Sequence, residues 1–267
     1  MWRDPYSYLA EFTGTLLVPL NGQRTRAVDI DREADFEIYR LAGLATSNNL
    51  RLDLRDQDDR LLIGHVAPWS NVIGDGQRPY RLQGAARIIK RTNQLRPTLF
   101  DRSGADNTAR ILFTGAQLFP SPPFDIPSFR WAEPYPLTIS FGAEAEDDFG
   151  VVPANQTREG AIRLPGDSWF DILAITGSRA GVSTLQILTN GFREWFRLPI
   201  HTSLLGFSDF ATQLVAATGF HPSAQYPFEL TPSKLMPKNT AIVFRVADLS
   251  GADNAHRMTL HAVRRYE

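Results

Sequence analysis

Two ten-residue stretches, DRSGADNTAR at 101–110 and DLSGADNAHR at 248–257, are nearly identical and lie 147 residues apart (SGADN starts at 103 and again at 250). No other feature restricts the architecture as strongly, because self-similarity in a conserved order marks a chain of like units. The flanks extend the match. Asp101 answers Asp248, and Arg110 answers Arg257. Upstream, PYRL at 79–82 answers PFEL at 227–230, FEI at 36–38 answers FDI at 170–172, and Gly43 answers Gly177; at the far end Phe119 answers Tyr266. The order is the same in both halves, and the changing offset requires only a few insertions. The sequence therefore predicts two homologous domains, at 1–119 and 137–267.

Between them runs PSPPFDIPSFRWAEPYP, residues 120–136, with prolines at 120, 122, 123, 127, 134 and 136. Proline fixes φ and removes a donor, so this stretch is expected to be a stiff, extended connector and not a helix or a central strand. Its aromatics, Phe124, Phe129, Trp131 and Tyr135, imply that it packs onto a domain instead of swinging freely.

Within each half the apolar period is mostly two. Phe36, Ile38 and Leu41 share one short run, and Leu50, Leu52 and Leu54 alternate with Arg51 and Asp53. Leu185, Ile187 and Phe192 continue the pattern, as do Ile242, Phe244 and Val246. Such runs are half-buried strands, and turn-prone Gly, Asn, Asp and Pro separate them at the spacing of a sandwich or barrel. Each SGADN lies between two such runs, so it reads as the hairpin turn before its domain's last strand. Gly supplies positive φ there, and the Asx side chains bond their own backbone. The competing reading is a carboxylate-lined ion site occurring twice. One helix is expected, at 208–218, with Ser208 as cap and Phe210, Leu214 and Ala217 on one face. The fold class is all-β: two tandem homologous antiparallel β-sandwich, jelly-roll-like domains joined by a Pro-rich connector.

The composition excludes several chemistries. The chain has no cysteine, so disulfides, thiolate-bound metals and thiol catalysis are ruled out. A formal net charge of −1 provides no global attraction to nucleic acid or anionic membrane. No window approaches the roughly 18 apolar residues of a spanning helix. The N-terminal MWRDPYSYLAEF lacks a signal-peptide core, so a soluble, cytosolically made protein is expected.

The histidines, His65, His201, His221, His256 and His261, form neither HxH nor HExxH. His256 and His261 belong to the second half alone, where the first half has Ala109 and Thr114. There is no GxSxG elbow and no phosphate-binding glycine loop. Two acidic clusters are weak calcium candidates: Asp53, Asp56, Asp58 and Asp59, and then Glu144, Glu146, Asp147 and Asp148. Neither has EF-hand spacing, and solvated loop charge explains both. RIIKR at 87–91 reads as a charged strand edge that discourages unwanted pairing. The tryptophans Trp2, Trp69, Trp131, Trp169 and Trp195 could stack on sugars, but in strand positions core packing is the plainer reading. No catalytic residue, cofactor site or metal site is assigned.

Two tandem sandwiches without a catalytic constellation resemble the double jelly-roll coat proteins of bacteriophages. The likeness is carried by PYRL at 79–82 and PFEL at 227–230, then by the alternation into DRSGADNTARILF and DLSGADNAHRMTL, which look like the closing strands of phage virion modules. The length is similar to that of the major capsid proteins of tailless, membrane-containing phages, and the repeat unit resembles jelly-roll virion proteins of tailed phages. The resemblance implies a non-enzymatic capsid component that forms homo-oligomers, a trimer above all, since two like domains per chain give a trimer a pseudo-sixfold outline. It also implies contacts with other virion proteins and a place in the virion after synthesis in the host cytoplasm, without a cofactor. Double jelly-roll coats usually have diverged halves. Here the duplication is still legible, which favours a decorating or vertex protein over the shell-forming coat. In that setting residues 1–8 and 120–136 read as arms. Trp2, Tyr6, Tyr8, Phe124, Phe129, Trp131 and Tyr135 then read as assembly contacts, because exposed aromatics are costly in a monomer. A carbohydrate-binding or adhesin-like tandem is the alternative. It requires aromatics aligned on one exposed sheet face and calcium at 53–59. An enzyme on a jelly-roll such as a cupin requires histidines and a carboxylate inside one barrel.

Overall fold

A computed structural model of the chain describes residues 1–63, 66–82, 87–142, 148–189, 195–196, 198–209 and 226–267. They form two compact units, Met1–Ser121 and Pro122–Glu267.

Unit 1 contains β1 (Trp2–Phe12), β2 (Gln23–Thr25), β3 (Val28–Asp29), β4 (Asp35–Ala45), β5 (Leu50–Asp56), β6 (Ala67–Pro68), β7 (Tyr80–Arg81), β8 (Arg87–Ile89), β9 (Gln94–Asp101) and β10 (Ala109–Phe119), with one helical turn, α1 (Trp69–Val72). One sheet runs β1-β10-β4, with β7 and β8 both on the far edge of β4. The other runs β9-β5-β6, with β2 and β3 both on β9. Every ladder is antiparallel. The alternation seen in the sequence closes one core between the sheets. Tyr6, Tyr8, Phe36, Ile38, Leu41, Ile111 and Phe113 come from the first sheet, and Leu50, Leu52, Leu54, Leu95 and Leu99 from the second. A β-bulge interrupts the β4–β10 ladder between Thr114 and Gly115 and leaves Tyr39 unpaired. Glycine is required there, because a Cβ on Gly115 would lie 1.8 Å from the Glu37 carbonyl oxygen.

Unit 2 contains β11 (Trp131–Pro134), β12 (Leu137–Phe141), β13 (Thr157–Arg163), β14 (Trp169–Arg179), β15 (Ser183–Thr189), β16 (Ile200–His201), β17 (Ser208–Asp209), β18 (Phe228–Met236), β19 (Ala241–Asp248) and β20 (His256–Tyr266). One sheet runs β20-β14-β18, with β11 and β12 in succession along β20 and β17 parallel to the end of β14. The other runs β13-β19-β15-β16. Phe141, Phe170, Ile172, Ile187, Phe244, Val246, Met258 and Leu260 are all buried.

The two units have the same strand order. β1-β10-β4 with β7 and β8 corresponds to β11/β12-β20-β14-β18, and β2/β3-β9-β5-β6 corresponds to β13-β19-β15-β16. In each unit the first strand pairs with the last, and the two four-position sheets are those of a jelly roll. The registers agree as well. Trp2 faces Phe119 as Trp131 faces Tyr266, and Ile38 faces Gly115 as Ile172 faces Ala262. The bulge in unit 2 leaves Leu173 unpaired, at the position that Tyr39 holds in unit 1.

Two sequence expectations need correction. Residues 1–8 are not an arm: β1 is an edge strand hydrogen-bonded to β10 along its whole length. Residues 131–134, expected in the connector, are β11 of unit 2. Both stretches contain proline, at Pro5 and Pro134, and an edge strand has one side on which no donor is needed. In the segment expected to be helical, Ser208 and Asp209 are strand, and 210–218 lie outside the described residues.

Candidate functional site

The twin SGADN turns have the same internal wiring. Asp101 accepts from the Ser103 N–H (2.8 Å), the Ser103 hydroxyl (2.7 Å), the Gly104 N–H (3.2 Å), Asn107 Nδ2 (2.8 Å) and the Asn21 N–H (2.8 Å). Asp248 accepts from the Ser250 N–H (3.0 Å), the Ser250 hydroxyl (2.6 Å), the Gly251 N–H (2.9 Å), Asn254 Nδ2 (3.1 Å) and the Asn155 N–H (2.9 Å). Gly104 and Gly251 have φ of 77° and 75°, the left-handed region that glycine enters without steric cost. Asn21 and Asn155 also have positive φ, at 50° and 56°. Five donors on one carboxylate stabilise its charged form. The Ser103 hydroxyl bond leads in bringing the Asp101 carboxyl down to about 2. At Asp248, burial opposes ionisation, but the bonds from Ser250, Asn155 and Asn254 outweigh it and hold the group well below the usual carboxylate range. A shell of N–H and O–H donors is the opposite of a cation site, so the turn reading holds and the ion-site reading does not.

The carboxylates of the acidic loop at 53–59 are also engaged, apart from Asp53 Oδ1, which is buried without a hydrogen bond. Asp56 accepts from the Asp58 and Arg60 N–H groups, Asp53 pairs with Arg55 (2.9 Å), Asp58 accepts from Asn93, and Asp59 faces Arg96 (3.4 Å). The four carboxylates serve different partners. Among the described residues no three His, Asp or Glu side chains converge as metal ligands. Of the second cluster, Glu144, Glu146 and Asp147 lie outside the described residues, and Asp148 caps a turn through the Gly142 and Gly150 N–H groups.

Nor do the described histidines converge. His201 Nδ1 accepts from the Ser203 N–H, and His261 Nε2 bonds the Thr176 hydroxyl (2.9 Å). His256 is fully buried with neither ring nitrogen bonded. His65 and His221 lie outside the described residues.

The aromatic candidates separate into three groups. Tyr6 and Tyr8 belong to the core of unit 1. Tyr8 stacks edge-on against Tyr6 and Phe36, and its hydroxyl donates to Asp31 (2.9 Å), so neither ring is available to a partner. Trp2 is half-buried at the start of β1. The remainder lie on unit 2. Phe124 and Phe129 pack on Trp169 with ring centroids 5.4 and 6.1 Å away, and Tyr135 meets Phe170 at 5.6 Å. Trp131 lies parallel to Tyr266, with centroids 4.0 Å apart and planes 9° apart. The Arg264 guanidinium lies over both Tyr135 (5.2 Å) and Tyr266 (5.0 Å) and makes two bonds to Asp167. Trp131 ends this stack and remains 54 % exposed. The expected packing of the 120–136 aromatics onto a domain is what these contacts describe.

No family model matches the chain, and no curated protein matches it. Among solved structures, the major capsid protein P2 from bacteriophage PM2 aligns over 100% of this chain and 98% of its own, with 10% identity and a TM-score of 0.28. PNGF-II aligns over 99% of this chain and 65% of its own, with 9% identity and a TM-score of 0.21. PBCV-1 VP54, in a structure fitted into a cryo-EM reconstruction of the virophage Sputnik, aligns over 100% and 96%, with 8% identity and a TM-score of 0.22. The strand order above, and not these alignments, assigns the architecture.

Proposed function

We propose that this chain is a non-enzymatic structural protein of a bacteriophage virion, a capsid coat, decorating or vertex component built by duplication of one jelly-roll unit. The observation that carries the reading is the repeated sandwich itself: two units with the same strand order, bulge position and closing turn. In both units the Asp, Ser and Asn of the shared SGADN stretch hold the closing turn together. A duplicated rigid sandwich suits a protein whose work is to present surfaces to neighbours, and like units let a homotrimer offer six similar outer faces. Trp131, exposed at the end of its stack, is the aromatic best placed for a contact with another chain.

The test is the mass of the native protein in solution by light scattering, with and without a chelator. A trimer or larger assembly that ignores the chelator supports the virion reading. A monomer that loses stability in chelator overturns it in favour of a calcium-dependent carbohydrate-binding tandem, and a glycan screen then follows.

A further inference from the structure

At the end of unit 1 where β1 begins and β10 finishes, a cleft of about 650 Å³ is lined by Arg32, Asp35, Lys90, Arg91, Leu118 and Phe119, among others. The corresponding place in unit 2 is filled by the chain itself. The shared registers put Trp169 where unit 1 has Asp35, Lys238 where it has Arg91, and Tyr266 where it has Phe119. The residues that follow Arg91 and Lys238 agree too, since Thr92 and Asn239 both have positive φ, 67° and 64°. In unit 2, Phe124 and Phe129 lie on Trp169, and Arg265 covers the Phe129 ring at 5.6 Å. This end of the fold is therefore shaped to take a peptide segment with no strand partner, and one of the two copies holds one.

The copy in unit 1 has a different lining. The aromatic floor provided by Trp169 is replaced by Asp35, and Pro120 stands at the position of Glu267. Arg32 and Lys90 occur where unit 2 has Gly166 and Pro237. Asp35 is already committed: its two oxygens accept from Lys90 Nζ (2.9 Å) and the Arg91 N–H (2.9 Å). Arg32 and Arg91 are exposed at the mouth. We propose that this cleft docks an extended acidic peptide segment of a neighbouring protein, its carboxylates on Arg32 and Arg91 and its apolar side chains against Leu118 and Phe119. Charge complementarity at the rim sets the sign of the partner, and the peptide held at the same place in unit 2 sets its class. Three cations diluted by Glu33 and Asp35 are a poor footprint for nucleic acid, whose binding needs a run of phosphate contacts. The proposal does not depend on the virion reading.

The experiment uses the full chain and a fluorescein-labelled synthetic peptide of repeated glutamate, phenylalanine and proline, followed by anisotropy. The expected result is saturable binding that weakens at least about tenfold in the R32E/R91E variant. Binding also weakens on added salt and is unchanged by K238E, whose cleft is filled. If charge reversal unsettles the fold, the R32Q/R91Q pair gives the same readout. Absence of saturable binding overturns the proposal. So does binding that the double variant leaves within about twofold, or tighter binding of the lysine counterpart peptide or of oligo-dT.

Discussion

His256 faces Arg179 across the β14–β20 ladder, both side chains are buried, and neither imidazole nitrogen has a hydrogen-bond partner. Arg179 donates to the Ser203 hydroxyl (2.6 Å) and the Gly181 carbonyl (3.4 Å) and stands 3.7 Å from Asp209, while its Nε has no hydrogen bond. The corresponding cross-strand pair in unit 1 is Ala109 and Ala45. Unit 2 therefore carries a cation beside an uncharged imidazole where unit 1 is apolar. Burial first, and then the Arg179 charge, push the His256 imidazole down to about 4, against a smaller pull from Asp248.

Acid should loosen unit 2 before unit 1. The unfolded chain binds a proton on His256 near pH 6.5, and the folded chain resists it to about pH 4. The unfolded state thus holds more protons in that window, and stability falls as pH falls through it, by roughly 3 kcal/mol in total. Replacing the histidine by an apolar ring in H256F should remove this slope. Hydrogen–deuterium exchange between pH 7 and pH 4, followed in β20 and β10 separately, gives the readout. Equal acid sensitivity of the two strands, or a slope that survives in H256F, contradicts the assignment.

The two closing turns share the donor shell of their aspartates and should lose similar energy when its asparagine is removed. Asn107 donates to Asp101, the Ser103 hydroxyl and the Ala105 carbonyl; Asn254 donates to Asp248 and the Val182 carbonyl. Both amides are buried. Replacing either with alanine leaves a carboxylate short of a donor and should cost about 2 kcal/mol, on the order of 10 °C in the melting of the affected unit. N107A should act on unit 1 and N254A on unit 2. Calorimetry of the two single variants and the double checks this, and the losses should add because the sites share no partner.

Much of this wiring was legible. SGADN names its own turn, because Asp, Ser, Gly and Asn at those spacings have few other uses, and alternation at 50–54 and 242–246 located β5 and β19. The first strands were misread, although the signal was there. WRDPY at 2–6 and WAEPY at 131–135 share Trp, an acid, Pro and Tyr, with Phe12 and Phe141 following at the same distance. Proline drew both stretches toward an arm or connector. Its ring is harmless on an edge strand whose outer side bonds nothing, and only pairing with the last strand discloses that. Tyr6 and Tyr8 were misplaced by the same error. The cleft of unit 1 was beyond reach, since Arg32, Arg91 and Phe119 meet only through the register.

The strap on unit 2 should be a matter of stability and not of oligomer contact. Phe124 and Phe129 are half-buried on Trp169, whose indole N–H donates to Glu267 (2.8 Å). Removing both rings in F124A/F129A should cost about 2 to 3 kcal/mol, less than the loss of fully buried phenylalanines. The native mass should remain as in the parent chain, whereas W131A should cost only about 1 kcal/mol, the worth of its stack on Tyr266, and should lower the mass. Light scattering beside thermal melting separates the two effects. A drop in mass with F124A/F129A at unchanged melting would put these rings at an interface.

Gly43 and Gly177 are matched in sequence, and both stand beneath an aromatic ring that crosses their strand. A Cβ on Gly43 would lie 2.6 Å from Trp69 Cζ2, and one on Gly177 would lie 2.4 Å from Phe207 Cε2. Trp69, Phe207 and the two glycines' strands are otherwise closely packed: Trp69 is 4% exposed and Phe207 1%. The rings come from different local structures, the turn α1 in unit 1 and the segment between residues 205 and 208 in unit 2. What the two positions share is the requirement for a bare backbone, so that a ring can approach the strand this closely. Overpacking of this kind typically costs about 1 to 3 kcal/mol. G43A should therefore destabilise unit 1 and G177A unit 2 by similar amounts, while G43A/W69L, which trades the ring for a shorter side chain, should recover part of the loss. Urea unfolding followed by hydrogen exchange in β4 and β14 measures each. A G43A chain as stable as the parent would show that Trp69 does not rest on the strand, and the shared glycine would then need another explanation.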